Sequence, residues 1–360
     1  MKWGIIGLPQ AGKTTPFQIL TRTHPRESHR HGEAQQHIGV VKIPDERFDR
    51  LVKLFDATKV THATAEFVDV AAISKETLKE SAYLNILRAM DGLVHVARFF
   101  HNEAVPQGPG GINPSRDFQD VEVELILSDL GVVENRLAKI EKDRKKIKSP
   151  DLDREQSILE SMKEWLEGGK PLREGEWSAQ EKKPLQGFSF LSEKPMLAVL
   201  NVDEEKAGSI PEIVESQAFA PWRNRKGTHL AAIAGRIEAE LATLPDADVP
   251  ELMASYGLAD LGSIRIVRAA CELMGLITFF TLGDKECRAW LIPRGSTALQ
   301  AAGTIHSDIE KHFIRAEVVG WEPFLQAGGW GGGRIQGALR VEGKEYRVQD
   351  GEVLNIRHSG

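Results

Sequence analysis

The chain has 360 residues, enough for two or three domains with buried cores. Its composition, 41% hydrophobic and 27% charged with a mean hydropathy of −0.29, is that of an ordinary soluble globular protein, and no run of eighteen apolar residues could span a membrane. A net charge of −6 argues against indiscriminate nucleic-acid binding and against DNA as a partner, while two cysteines, Cys271 and Cys287, are too few for a disulfide framework or a Cys-based zinc site. With no signal peptide before the first strand, a reducing, cytoplasmic setting is expected.

The first element is a short apolar strand at Trp3-Gly4-Ile5-Ile6, and Gly7-Leu8-Pro9-Gln10-Ala11-Gly12-Lys13-Thr14 follows it directly. This is a complete phosphate-binding loop in its required context, because Thr15 to Thr21, with Phe17, Ile19 and Leu20, can begin a helix. The glycines let successive N–H groups turn inward toward phosphate oxygens. Lys13 would reach the β- and γ-phosphates and act as the catalytic cation, and the Thr14 hydroxyl would hold Mg²⁺. Chance supplies such a pattern in roughly one chain in a hundred of this length. Pro16 falls in the first helical turn, where its missing N–H would be unpaired anyway.

Strand-like runs follow at Ile38–Ile43, Ala65–Val70, Gly92–Arg98 and Leu197–Asn201, with a helix over Asp45 to Phe55. Strands rich in Val, Ile and Leu that alternate with helices imply an α/β fold with a parallel sheet covered on both faces. The series is interrupted by two amphipathic helices, Val121 to Lys148 and residues 153 to 167, joined by a turn at Ser149-Pro150; they predict a helical hairpin. Arg136, Lys139, Lys142, Arg144, Lys145, Lys146 and Lys148 gather positive charge toward its tip. A solvated helix face accounts for them better than an RNA-facing tip.

Past a helix ending near Leu244, Pro245 and Pro250 mark a boundary. From Ile264 the pattern changes to short strands at Ile277–Phe280, Cys287–Ile292, Ile314–Val319, Ala338–Val341 and Val353–Arg357, with a single helix near Ser296 to Gly303. This α+β module is compatible with a ubiquitin-like β-grasp. Gly328 to Gly333, with its lone Trp330, reads as a flexible surface loop. The boundaries implied are a nucleotide-binding domain over 1–127 and 185–249, a hairpin insertion over 128–184, and a C-terminal module over 262–360.

At this point a family resemblance emerges. After the phosphate loop come Val40-Val41-Lys42-Ile43-Pro44-Asp45-Glu46-Arg47, Glu66-Phe67-Val68-Asp69-Val70-Ala71, His95-Val96-Ala97-Arg98, Glu124 to Leu130 and Asn201-Val202-Asp203-Glu204. Glu286-Cys287-Arg288-Ala289-Trp290, Gln300 to His306, Phe313 to Val318 and Val348-Gln349-Asp350-Gly351 complete the series. Together they resemble the YchF, or Obg-like ATPase, family of P-loop NTPases over nearly the full length. The resemblance implies a GTPase-like P-loop domain with a helical hairpin insertion and a C-terminal TGS β-grasp domain. It also implies slow Mg²⁺-dependent hydrolysis of ATP, or of GTP, and a ribosome partner reached through the hairpin and the TGS domain. A scaffold that binds nucleotide without hydrolysing it is the alternative.

GTPases of this class present an Asn-Lys-x-Asp loop whose Asp accepts two hydrogen bonds from guanine. Here Asn201-Val202-Asp203-Glu204 lacks the Lys and ends in Glu, the variant that the family pairs with ATP preference. The nucleotide-binding residues this implies are Pro9, Gln10, Ala11, Gly12, Lys13, Thr14, Thr15, Asn201, Val202 and Glu204, with Thr14 and Asp69 on Mg²⁺. Ala234-Gly235 stands where the family has Ser-Ala, and loss of that hydroxyl softens base selectivity.

Both switch regions depart from the family. Ala72 replaces the Gly whose N–H meets the γ-phosphate, and can serve only where the backbone does not demand glycine. The Gly-rich run after it is replaced by Ile73-Ser74-Lys75-Glu76-Thr77-Leu78-Lys79-Glu80, and Ile73 keeps the hydrophobic residue that the family carries in place of a catalytic Gln. Glu33 falls where the family has its Mg²⁺-binding Thr. His24, His29, His31 and His37 lie nearby, but without carboxylate or Cys partners at helical spacing they read as polar loop residues. Phosphate binding is therefore well supported by the sequence and turnover is not.

Overall fold

The computed structural model describes residues 1–22, 37–74, 76–105, 110–145 and 149–359. Glu33, His24, His29, His31, Lys75, Lys146 and Lys148 lie outside the described residues. In chain order the strands are β1 (Lys2–Ile6), β2 (His37–Lys42), β3 (Lys59–Thr61), β4 (Thr64–Asp69), β5 (Gly92–Phe99), β6 (Met196–Val202), β7 (Thr228–Ile233), β8 (Leu276–Thr281), β9 (Glu286–Pro293), β10 (Phe313–Gly320), β11 (Arg340–Glu342) and β12 (Glu352–His358). The first five helices are α1 (Thr14–Thr21), α2 (Glu46–Val52), α3 (Ser81–Arg88), α4 (Pro114–Arg144) and α5 (Pro150–Glu167). The chain divides into two compact units, Met1–Val41 with Glu66–Ala269, and Lys42–Ala65 with Ala270–Gly360. Residues 42–65, read from sequence as part of the first domain, thus go with the C-terminal unit. Residues 262–269, read as the start of the C-terminal module, are helical and go with the first.

In the first unit the sheet order is β2-β4-β1-β5-β6-β7, with β4, β1, β5, β6 and β7 paired in parallel. Every residue of β6 is buried, as a strand covered on both faces requires. Helix α4 starts with Pro114 in its first turn, and the Asn113 side chain accepts from the Arg116 N–H at 3.1 Å. Its first half sends Phe118, Val121 and Leu125 into the core beneath the sheet. Its second half packs Val133 and Ile140 against Ile158, Leu159, Met162 and Leu166. The hairpin therefore begins inside one continuous helix, and the boundary read at 127/128 has no break in the chain. Two buried polar ties fix this helix: Asp129 accepts from the N–H groups of Leu191 (2.9 Å) and Ser192 (2.7 Å), and Glu122 pairs with Arg173. Burial pushes the Asp129 carboxyl up to about 6.

Two cations assigned to the hairpin tip are engaged within the hairpin. Arg136 holds Glu155 in a bidentate pair at 2.7 Å, and Arg144 pairs with Asp153 at 3.0 Å.

The second unit is a mixed sheet of order β11-β10-β12-β8-β9-β3. Hairpin β8–β9 is antiparallel, and β12 lies parallel to β8. The helix Ala298–Ile305, opened by a capping box between Thr297 and Gln300, covers one face through Ala298 and Ala301. The early segment supplies β3, parallel to β9, and α2, whose Phe48 stacks on Phe280 at 5.5 Å. Arg47 reaches Asp350 at 2.8 Å, and Asp350 also accepts from the Thr278 N–H at 2.9 Å. Two distant signature segments, Asp45–Arg47 and Gln349–Gly351, are thus one structural tie.

The single helix expected here is joined by Ser307–Lys311, Trp321–Gln326 and Trp330–Ile335. Gly328 to Gly333 is therefore not a loop throughout. Trp330 opens a helical turn, donates to the Leu282 carbonyl at 3.1 Å and packs edge-on against Phe324 at 4.9 Å. An indole with both a hydrogen-bond partner and an aromatic neighbour anchors a segment that glycine content alone suggested was free.

Candidate nucleotide site

The phosphate loop hangs from the C-terminal end of β1. Gly7 (φ 155°), Gln10 (φ 65°) and Gly12 (φ 81°) turn its backbone. A Cβ on Gly7 would lie 2.4 Å from the Val96 carbonyl, and one on Gly12 would lie 2.5 Å from Asn201 Nδ2, so both positions exclude side chains on space alone. Lys13 Nζ donates to the Leu8 carbonyl at 3.3 Å and so folds back over the loop.

Strand β4, parallel to β1, delivers Asp69 beside the loop, where it accepts from the Thr14 hydroxyl and faces Lys13 and His37. Burial pushes the Asp69 carboxyl up, against the pull of Thr14, Lys13 and His37; burial likewise pushes the Lys13 ammonium down, against the pull of Asp69. Each charge is thus held in poor solvent beside an opposite one. Thr14 and Asp69 offer hard oxygen donors, the donor chemistry that Mg²⁺ prefers.

The segment after Asp69 is tied down. The Ile73 N–H donates to the Gly7 carbonyl at 3.0 Å, and the Tyr83 hydroxyl donates to the Ala71 carbonyl at 3.0 Å. The Thr77 hydroxyl reaches the Ala72 carbonyl at 3.3 Å, while Ser74 and Thr77 bond reciprocally through side chain and backbone at 2.9 and 3.1 Å. Ala72 keeps an ordinary negative φ, so alanine is accommodated there without backbone strain. Ile73 is 1% exposed and packs with Ile6, Val68, Tyr83 and Leu87. Its side chain belongs to a core cluster against which Leu8 of the phosphate loop also packs.

The residues expected from sequence to read the base lie at the end of β6. Asn201 donates to the Ala11 carbonyl at 3.4 Å and accepts from the Gly235 N–H at 3.2 Å, which couples the phosphate loop to the start of the helix Gly235–Leu241. A Cβ on Gly235 would sit 2.4 Å from Asn201 Oδ1, so its bareness is what admits the asparagine. Beyond Asn201 opens a cleft of about 960 Å³, whose lining includes Gly12, Thr15, Asn201, Val202, Asp203 and Glu204. Asp203 accepts from the His101 N–H at 2.7 Å, and Glu204 lies 3.4 Å from Arg236 Nε.

The chain is 33% identical to the "Ribosome-binding ATPase YchF" of Bacillus subtilis (strain 168), over 98% of each protein, and 36% identical to that of Escherichia coli O157:H7, over 99% of this chain and 98% of that one. The chain belongs to the YchF family. A family model, YchF-GTPase_C ("Protein of unknown function (DUF933)"), matches residues 276–359. The solved Schizosaccharomyces pombe YchF GTPase superposes with a TM-score of 0.84 at 25% identity, covering 99% of this chain and 97% of that one.

Among the residues singled out from sequence, Gly12, Lys13, Thr14, Asp69 and Asn201 come together, and Thr15, Val202 and Glu204 line the adjoining cleft. Pro9 and Gln10 form the loop's exposed turn, and Ala11 after them is buried. Sequence reading missed the wall opposite Asn201, formed by Phe100, His101, Asn102 and Glu103, and it missed Arg236. The usable signal was positional, since ligands of parallel sheets lie beyond the carboxyl ends of strands and β5 ends at Phe99. The signature residue Arg98 organises that wall: it donates to the carbonyls of Phe100 (3.1 Å) and Val105 (3.2 Å) and lies over the Phe100 ring. His95, from the same motif, is buried edge-on against Phe118 at 5.0 Å and takes no part in the cleft.

Proposed function

We propose that this chain is a ribosome-associated ATP-binding protein of the YchF type that hydrolyses ATP slowly in the presence of Mg²⁺. The observation that carries the reading is the convergence of Lys13, Thr14 and Asp69 on one glycine-shaped loop, tied through Asn201 to an adjoining cleft large enough for a nucleoside. The backbone of Pro9 to Thr15 cradles the phosphates, and Lys13 swings from the Leu8 carbonyl to the β- and γ-phosphates. Thr14 and Asp69 are the residues that would hold Mg²⁺, which would supply charge neutralisation at the β- and γ-phosphates. Asn201 and Val202 border the base. Glu204 draws Arg236 rather than supplying the fixed Asp that guanine needs, which supports ATP over GTP. A ribosome partner, and with it a cytoplasmic location, is supported by the names of the relatives; the helical hairpin and the C-terminal unit, read as a TGS β-grasp, are its proposed contact surfaces.

A second reading, binding without hydrolysis, is favoured by one observation: Ile73 is buried in the core where other GTPases expose a water-orienting Gln. Single-turnover hydrolysis of ATP and GTP by the wild type and Lys13→Ala, alongside titrations of binding, separates the readings. Slow ATP turnover that the variant loses supports the ATPase. Equal rates in both, with ATP still bound by the wild type, leave only the scaffold, and tighter GTP than ATP binding overturns the base assignment.

A further inference from the structure

Arg315 on β10 and Arg357 on β12 stand directly opposite each other in the antiparallel pair. Like charges in opposed positions repel, and a fold selected for stability alone would avoid the arrangement. It depends on a β-bulge. Continuing the Phe313–His358 pairing without the irregularity would set Ile314 opposite Arg357, but the register shifts by one residue and brings Arg315 there instead. From that point Arg315 and Glu317 share one face with Asn355 and Arg357, while Ala316, Val318 and Leu354 turn the other way into the core.

The carboxylate between these arginines is overcommitted. Glu317 is 5% exposed and accepts from Asn355 Nδ2 at 2.9 Å, Arg357 Nη2 at 3.0 Å and Arg334 Nη2 at 3.4 Å. Arg315 is exposed, and its side chain makes no hydrogen bond or ion pair among the described residues. Three guanidinium groups against one carboxylate leave a surplus of two positive charges on this patch. The side chains of Arg334 and Arg357 are 57% and 45% exposed, so most of their N–H donors still face solvent. Glu317 thus pins two guanidinium planes in fixed orientations beside a third whose side chain has no ion pair among the described residues.

Planar, pre-oriented guanidinium forks match phosphate oxygens bidentately, whereas flexible ammonium groups act only as point charges. We propose that Arg315, Arg334 and Arg357 form a contact for the phosphate backbone of ribosomal RNA. The proposal rests on the ribosome association argued above and places one of its contacts on the β10–β12 face. Recognition of this kind positions the protein without reading base sequence.

The test is binding of the full-length chain to purified ribosomes, measured by co-sedimentation across a series of salt concentrations. Arg315→Gln removes a charge with no internal partner, so folding is unaffected. It is expected to weaken binding about tenfold and to make the plot of log K against log salt shallower by about 0.7 to 0.9, with ATP affinity unchanged. Arg315→Lys, which keeps the charge and loses the fork, is expected to fall between the two. Wild-type binding that Arg315→Gln leaves intact, or weakens without changing the salt slope, overturns the array alone. Binding that polyglutamate displaces and ribosomal RNA does not also overturns it, in favour of an acidic protein surface. A wild type that fails to bind ribosomes overturns the association itself, and the array with it.

Discussion

Strands β1 and β4 run side by side and each opens into a loop at its carboxyl end, yet the two loops are built on opposite plans. Gly7 to Thr14 carries three left-handed backbone positions and two glycines that tolerate no Cβ, an arrangement that turns backbone donors toward an incoming anion. The described residues of Val70 to Glu80 are tied to one another and to their neighbours: Ile73 N–H on the Gly7 carbonyl, Tyr83 on Ala71, Thr77 on Ala72 and Ser74. It also commits Ile73 to the core. A loop with open donors suits binding, whereas a closed segment gives a nucleotide little to move or to orient water with. The contrast is what the proposed function, binding of ATP with slow turnover, would require of one site.

The largest expected effect comes from filling the open loop. Gly12→Ala combines an unfavourable left-handed alanine with displacement of Asn201, and ATP affinity measured by calorimetry is expected to fall on the order of 1,000-fold, about 4 kcal/mol. Retained affinity would mean that the loop adjusts freely, and the contrast with the closed segment would dissolve. Ile73→Gln tests that closed segment. Burying an amide in place of a packed aliphatic side chain is expected to cost about 3 kcal/mol in chemical denaturation, with no gain in single-turnover ATP hydrolysis. A faster variant would show that the side chain can reach the phosphates after all. Asn201→Ala removes two buried hydrogen bonds, and about 2 kcal/mol of stability should go with them; an unchanged midpoint would deny Asn201 its coupling role.

A smaller effect is expected from pH. Asp69 holds its proton more tightly folded than unfolded, because burial raises its pKa. In the region between the two values the native state binds more protons, so the stability of the nucleotide-free protein falls as pH rises through it. Mg²⁺-ATP engages the charged form, so its stabilisation grows with pH over the same range. Thermal midpoints with and without Mg²⁺-ATP should therefore diverge as pH rises, and Asp69→Asn should remove the divergence. Parallel curves in the wild type would separate Asp69 from the metal.

How much of this was legible in the sequence followed the range of the interactions. The phosphate loop, the strands around it and the Asn201 turn are local patterns whose backbone demands fall on a few residues, and they could be read directly. Asp69 was legible through the family resemblance of the Glu66–Ala71 segment. The closed segment was read as altered, but its ties could not be seen: Tyr83 lies twelve residues from Ala71, and hydroxyl-to-carbonyl bonds have no periodicity. Phe100 to Glu103 and Arg236 carried only a positional signal. The transfer of residues 42–65 to the second unit depends on Arg47 meeting Asp350 and Phe48 meeting Phe280, contacts more than 200 residues apart that no window of sequence contains. Trp330 was misread for the opposite reason. Its glycine-rich neighbourhood outweighed a single side chain whose partners, Phe324 and the Leu282 carbonyl, decide its conformation.

The smallest expected effect sharpens the comparison most. Gln10 is the one non-glycine residue of the phosphate loop with positive φ, at 65°. Left-handed backbone costs a residue with a Cβ about 1–2 kcal/mol, while glycine loses about 0.5–1 kcal/mol of its own through greater unfolded-state freedom. Gln10→Gly should therefore stabilise the nucleotide-free protein by less than about 1 kcal/mol, a rise of roughly 2 °C in thermal midpoint. If the conformation is a fixed feature of the open loop, held whether or not nucleotide is bound, ATP affinity should stay within about twofold of the wild type. A stabilised variant that binds ATP much more weakly would mean that the strain at Gln10 keeps the loop in its binding shape, so that the open loop, like the closed segment beside it, is held by internal constraint.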